Sequence, residues 1–399
     1  MSIDGKVGNS AVIATPVAHD YSPSLAQNLE LQTEYGNELS RFSRPLLDFA
    51  ATMTVLIMVV GILGNLLTIV ALIRCPRVRN VAAAFIISLC IADFMFCTFV
   101  LPFSSSRFIY GTWIHGDFLC QLFPFMRYGS IGVSLLLIAM ITVNRYIMIA
   151  HHNVYSRIYK KVWIGAMIAF CWMLSFGMQI PTLLGVWGMF GLDGKLGTCT
   201  ILRDNNGNSS KPALFVIAFL IPCCVIVCCY ARIFWVVHKS ESRMREHAAG
   251  MRSGATKTKT KEQRELKTKR NEWRITKMVL AIFLSFVVCY LPITIVKVAD
   301  EDVHFPGLHV LGYIMLYLSA CINPIIYVIM NKQYRQAYKT VLLWRRPRLL
   351  SLTPVGSSCG DKSKDGQSKT MVSQVSIAMS PIVLSQKNEE LPEVFDDNL

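Results

Sequence analysis

Charged residues are what this chain has least of. Of its 399 residues, 16% are Asp, Glu, Lys or Arg, against 53% that are hydrophobic, and the mean hydropathy is +0.43. A water-soluble domain carries about 25% charged residues, so this composition points away from one. Acidic residues are scarcer than basic ones, 25 against 40, for a formal charge of +15. Residues 1–45 lack the basic-then-apolar pattern of a cleaved signal peptide, so the first apolar run is expected to target the chain. No internal repeat relates two halves of the sequence, which counts against a secondary transporter. No nucleophile–base or metal-ligand motif surrounds His115, His304 or His309, so an enzyme is not expected. Cys223, Cys224, Cys228 and Cys229 sit in an apolar run without a nearby histidine. They read as small hydrophobes and not as zinc ligands.

Long apolar runs, by contrast, are abundant. A helix crossing the hydrocarbon core needs about 20 mainly apolar residues. Seven runs qualify: 46–73, 81–103, 119–149, 162–184, 213–237, 275–298 and 307–330. Backbone groups in lipid must be satisfied within the segment, and these runs are too long for strands. The expected fold is therefore an all-α membrane protein, a seven-helix bundle. Lys and Arg concentrate in alternate links: Arg74, Arg77 and Arg79 after the first run, then Arg157, Lys160 and Lys161 after the third. Lys257, Lys259, Lys261, Arg264, Lys267, Lys269 and Arg270 follow the fifth, whereas Asp300, Glu301 and Asp302 mark an opposite loop. The positive-inside rule then puts the N-terminus outside and the C-terminus in the cytoplasm. The net charge is a topology signal and not a nucleic-acid footprint.

Three regions follow: an extracellular tail over 1–45, the bundle over 46–344 and a disordered cytoplasmic tail over 345–399. Residues 239–270 read as a mobile third cytoplasmic loop. Among the cysteines near the bundle, Cys120 and Cys199 fall on the oxidising side. They are expected to pair and pin the 185–212 loop to the top of the third span. Asn208-Ser209-Ser210 in that loop is a glycosylation sequon, and the N-terminal tail has none.

Few polar residues enter the spans. Asp93 lies midway along the second, with Asn65, Ser134, Ser319 and Asn323 at comparable depth in spans one, three and seven. A carboxylate with amide and hydroxyl oxygens suits a hard cation, here sodium as an allosteric ion. The alternative is a neutral Asp93 hydrogen-bonded to the asparagines. Pro222, Pro292 and Pro324 interrupt spans five, six and seven, with Phe286 and Tyr290 nearby. They read equally as packing kinks or as pivots.

These residues, in this order, resemble the rhodopsin-like (class A) G-protein-coupled receptors over 46–344. The matches are Gly64-Asn65, Leu89 with Ala92-Asp93, Trp113, Cys120, Arg145, Trp172 and Pro181. They continue with Pro222 and Tyr230, then Phe286, Cys289 and Pro292, then Asn323-Pro324 with Tyr327. Two departures stand out. Asn144 occupies the place of the usual Asp or Glu before Arg145, and Tyr290 that of a favoured Trp. Asn144-Arg145-Tyr146 resembles melatonin receptors, which usually lack the proline that Pro324 supplies. The pairing of Asn-Arg-Tyr with Asn-Pro-Ile-Ile-Tyr is most similar to the insect Trapped in endoderm and Moody receptor group. That resemblance implies roles in guiding cell migration and polarity.

The resemblance also implies a heterotrimeric G protein as partner, and a switch in which Arg145 is held at rest and freed when span six swings out. Asn144 supplies no charge. Glu272 lies 20 residues before Pro292, about 30 Å along a helix, so it is expected to pair with Arg145. Tyr230 and Tyr327 would support Arg145 in the active state. After span seven, Tyr334, Ala337, Tyr338, Val341 and Leu342 recur at helical spacing, with Lys332, Arg335 and Lys339 on other faces. This reads as a short amphipathic cytoplasmic helix lying on anionic membrane lipid. Phosphorylation of the Ser/Thr-rich tail by a receptor kinase would give arrestin a charged site.

Arg127 lies seven residues after Cys120, where amine receptors of the family carry Asp. Arg107 tops span two and Lys297 the outer part of span six. Three cations around one mouth suit a carboxylate or phosphate headgroup, an anionic lipid among the candidates. The alternatives are snorkelling or pairing with Asp300, Glu301 or Asp302. A light-sensing pigment needs a lysine in the seventh span, and 307–330 has none. A transporter or channel is the remaining rival.

Overall fold

The computed structural model describes residues 42–75, 78, 80–250 and 258–343, with only the backbone path given over 240–271. Among the described residues, seven helices are long and apolar enough to cross a membrane. They are span one (Arg44–Arg74), span two (Val81–Tyr110), span three (Gly116–Ala150), span four (Lys161–Leu183), span five (Lys211–Lys239), span six (Glu272–Ala299) and span seven (Pro306–Met330). Each coincides with an apolar run read from the sequence. Spans two, three and seven are the most buried, and spans four and five turn most of their surface outward. Val162, Met173 and Val227 are among the large apolar residues on that outer surface, and Leu63 is exposed on span one.

Span two outruns its apolar signal by two turns. Its polar end, Ser104-Ser105-Ser106-Arg107, hid the continuation, yet Ser104, Ser105 and Arg107 are buried. The helix stops at Gly111, whose φ of +77° suits a residue without Cβ and lets its N–H bond the Arg107 carbonyl at 2.8 Å.

Two widened π turns, Phe96–Val100 in span two and Val216–Leu220 in span five, carry no sequence signature of their own. Each precedes a proline, Pro102 and Pro222. A proline ring clashes with the carbonyl four residues back, and that residue, Thr98 or Ala218, lies inside the widened turn. The clash is taken up as a π turn. Pro292 and Pro324 lie inside spans that continue through them.

Spans three and four meet closely. A Cβ at Gly129 would collide with the Phe176 ring and one at Gly132 with the Ser175 hydroxyl, so small residues set this approach. Ser175 Oγ donates to the Gly129 carbonyl at 2.8 Å, and Trp172 Nε1 donates to Ser88 Oγ at 2.9 Å.

The described residues form the expected all-α seven-helix membrane bundle, with one small strand pair in a loop. The outer loop after span four holds an antiparallel hairpin of β1 (Met189–Asp193) and β2 (Thr198–Leu202), with Leu192 opposite Cys199. Cys120 and Cys199 form the expected disulfide, Cα atoms 5.2 Å apart. It pins β2 to span three.

The segment read as a mobile cytoplasmic loop, 239–270, contains helix continuing from span five to Gly250 and resuming at Thr258 before span six. Residues 251–257 lie outside the described residues, as do 1–41, Arg77, Arg79 and the tail from 344. A short helix, His152–Ile158, forms the inner link between spans three and four. Another, Lys332–Leu342, follows span seven and is capped by Asn331, whose side chain accepts the Gln333 N–H at 3.0 Å. Its apolar face is only partly the one expected. Tyr334, Ala337 and Tyr338 are buried, and the Tyr338 hydroxyl meets Thr68 Oγ1 of span one at 2.6 Å. Leu342 is exposed. The helix therefore docks on the bundle through its first two turns, and only its far end is free to face lipid.

Candidate functional site

Polar residues form three layers along the bundle axis. In the outer layer, three cations converge on one ring that the sequence did not single out. The Arg107 and Arg127 guanidinium carbons lie 4.9 and 5.1 Å from the Tyr313 ring centroid, and Lys297 Nζ lies 5.4 Å from it. Arg107 also stacks on Phe108 at 4.4 Å. Arg107 and Arg127 retain 3% and 2% of their exposure, and Lys297 is half-buried, so the arginines do not snorkel outward. None of the three forms an ion pair among the described residues. Asp300 is instead engaged by His304 and His309 at 3.1 and 3.2 Å, and Asp302 by Lys195 at 2.8 Å. Arg127 Nε and Nη1 have no hydrogen-bond partner among the described residues. The same holds for Ser130 Oγ and the Tyr317 hydroxyl, each one turn deeper. Tyr128 ties this layer to the hairpin, its hydroxyl 2.8 Å from Thr200 Oγ1.

At the rim, Asp300 joins spans six and seven. Its carboxylate accepts the backbone N–H of His304 and of Phe305, both at 2.8 Å. Burial raises this carboxyl, but those N–H groups and the two histidine rings bring it down to about 2. The turn it holds puts Val303 at φ +56°, an uncommon conformation for a β-branched residue.

The middle layer centres on Asp93. Ser134 Oγ donates to one carboxylate oxygen at 3.0 Å and Asn323 Nδ2 to the other at 2.8 Å. Two of the four expected partners do not bond it. Asn65 donates to the carbonyls of Gly61 and Ala320 and so ties span one to span seven. Ser319 donates to the Leu316 carbonyl and to the Tyr290 hydroxyl. The Asp93 carboxylate and the Ser134 hydroxyl are oxygens a sodium ion could use. Asn323 presents its NH2 group to Asp93 and would have to rotate to offer oxygen, and Asn65 Oδ1 is buried without a partner among the described residues. The donor set fits a hard cation after that one rotation.

The inner layer holds the expected pair. Arg145 Nη1 donates to Glu272 Oε2 at 2.6 Å, with Arg145 buried and Glu272 27% exposed. Asn144 turns instead to the inner link, donating to the Tyr155 hydroxyl at 3.2 Å. Burial pushes that hydroxyl above its ordinary value, so it stays neutral near pH 7. Tyr146 points away from the pair, toward His151 at 3.1 Å. Tyr230 of span five donates to the Thr276 carbonyl of span six at 3.1 Å, and Thr276 Oγ1 donates to the Glu272 carbonyl at 3.0 Å. Tyr327 is buried against Tyr334, ring centroids 5.4 Å apart, and its hydroxyl has no partner among the described residues. Neither Tyr230 nor Tyr327 bonds Arg145 among the described residues.

Residues 64–327 match the family described as 7 transmembrane receptor (rhodopsin family). The chain belongs to that family: it is a multi-pass membrane receptor built on seven helices. It is 58% identical over 84% of its length to the G-protein coupled receptor moody of Drosophila melanogaster. It is 39% identical over 80% of its length to Protein trapped in endoderm-1 of the same species, covering 83% of that protein. The match covers 58% of the moody receptor's own length. Squid rhodopsin shares the fold, with a TM-score of 0.67 and 24% identity over 76% of this chain and 87% of that one.

Proposed function

We propose that this receptor sits in the cell membrane with its N-terminus outside and converts binding of an extracellular anionic ligand into activation of a heterotrimeric G protein. The Arg145–Glu272 pair carries the reading. A buried guanidinium held by a carboxylate on another span is a latch between spans three and six, and Tyr230–Thr276 is a second tie beside it. Separating span six from span three would free Arg145 for a partner entering from the cytoplasm. A ligand can drive that only to the extent that it binds the open state better.

The orientation is supported by the disulfide and hairpin at one end and the basic links at the other. Asn208 is exposed on the disulfide side, where a glycan could be added. The outer cations favour an anionic ligand, a lipid among the candidates, and Asp93 with Ser134 and Asn323 would hold an allosteric sodium ion in the resting state. A receptor kinase acting on the tail, with arrestin reading the phosphates, and anionic lipid under the far end of the Lys332–Leu342 helix complete the partners. Resemblance to the moody and Trapped in endoderm-1 receptors supports a role in guiding cell migration and polarity.

Nucleotide exchange on a panel of purified heterotrimeric G proteins, with the full chain in lipid nanodiscs, tests this. Exchange above the receptor-free rate on at least one heterotrimer is expected, and its loss in Arg145→Ala. No acceleration on any heterotrimer, with voltage-driven ion flux through the same protein, would instead favour a channel.

A further inference from the structure

The outer layer has more positive charge than one carboxylate can answer. Arg107, Arg127 and Lys297 come from three different spans and converge on Tyr313 of a fourth. The faces of Tyr313, Phe108 and Tyr128 attract these cations, but ring quadrupoles recover only part of what a buried guanidinium loses on leaving water. Asp193, on the hairpin, acts on Tyr313 at longer range and is occupied by the Leu196 N–H at 3.3 Å. Meanwhile Arg127 Nε and Nη1, Ser130 Oγ and the Tyr317 hydroxyl are buried donors without a partner among the described residues. Unfilled donors beside uncompensated charge describe a site shaped for an oxyanion.

We infer that the outer layer recognises a doubly charged phosphoryl group seated between Arg107, Arg127 and Lys297, with Tyr313 as its floor. The inference rests on the anionic-ligand reading and narrows it. A phosphate monoester carries about −1.5 to −2 charges near pH 7 and three strong acceptor oxygens. A carboxylate brings one charge and two oxygens. Guanidinium groups match phosphate in shape as well as charge, and three peripheral oxygens can meet two guanidiniums and an ammonium at once. Ser130 and Tyr317, one turn deeper, are placed to donate their hydroxyl protons to the ester oxygen.

The test uses the full chain in zwitterionic phosphatidylcholine nanodiscs, with thermal stabilisation read against ligand concentration. The probes are oleoyl lysophosphatidate, oleate, oleoylamine and inorganic phosphate. Lysophosphatidate is expected to half-saturate the shift at a concentration at least tenfold below oleate, and Arg127→Met to erase that preference. Arg107→Met and Lys297→Met should each reduce it. Inorganic phosphate binding as tightly as the lipid would support the phosphoryl group and identify its source as a soluble phosphate. Stabilisation by the lipid alone would support it as a lipid headgroup. The empty Arg127→Met protein should melt no lower than wild type, because an uncompensated charge has been removed. A clear loss of melting temperature there would contradict the inference. Equal half-saturation by oleate and lysophosphatidate would overturn the phosphoryl assignment while leaving an anionic ligand standing. Stabilisation by oleoylamine alone would sink both.

Discussion

Asp93 joins three spans through one side chain. With Ser134 on one oxygen and Asn323 on the other, the carboxylate links spans two, three and seven. Rotating Asn323 would exchange a donor for a ligand oxygen, so a sodium ion and the Asn323 N–H compete for the same oxygen. If sodium favours the resting state, adding it should weaken agonist binding several-fold in wild type and not in Asp93→Asn. A sodium effect of the same size in the mutant would refute that role. At the same scale, the charges were legible in the sequence. An arginine or an acid in an apolar run carries its own cost, and Asp93, Arg107, Arg127 and Arg145 all proved buried. Tyr313 was not legible, because a tyrosine in an apolar run reads alike whether it faces lipid or core. Nor was the Tyr155 partner of Asn144, which lies in a link with no periodicity to place it.

Helices were easy to read because lipid demands length, and the seven runs emerged with ends shifted by a few residues. What escaped was local. The π turns arise from clashes of Pro102 and Pro222 that hydropathy does not register, and the hairpin occupies a polar loop where only the run Thr198–Leu202 hints at a strand. The rim turn between spans six and seven is another such device. The folded-state value of the Asp300 carboxyl, about 2, lies below the ordinary value of about 3.9. A depressed acid stabilises the fold above its unfolded value, and that contribution fades as pH falls through the folded one. Wild type should therefore melt higher than Asp300→Asn at pH 5, and the gap should close between about pH 4 and pH 2. A gap that is absent at pH 5, or constant across that window, would show that the carboxylate does not hold the turn.

Across the whole molecule, polar residues lie in three layers along the bundle: the cation cluster at Tyr313, Asp93 with Ser134 and Asn323, and the Arg145–Glu272 pair. Span six contributes to both ends of the bundle, with Lys297 near one and Glu272 near the other, and span three likewise with Arg127 and Arg145. In the proposed latch Arg145 has one carboxylate partner, Glu272, because Asn144 bears no charge, so a resting state held this way would be less firm than one held by two acids. A partly exposed ion pair is worth roughly 0–1 kcal/mol and a better shielded one somewhat more. The upper part of the exposed range, about 0.4–1 kcal/mol, corresponds to about a two- to fivefold change in the active population.

Agonist-independent nucleotide exchange on a coupled heterotrimeric G protein, at matched receptor density in nanodiscs, reads that population directly. Glu272→Ala is expected to raise the basal rate by about two- to fivefold, since roughly 1.4 kcal/mol is tenfold. Asn144→Asp should lower it, and Arg145→Ala should bring it to the receptor-free rate while ligand binding survives. Basal exchange left unchanged by both Glu272→Ala and Asn144→Asp would contradict the latch.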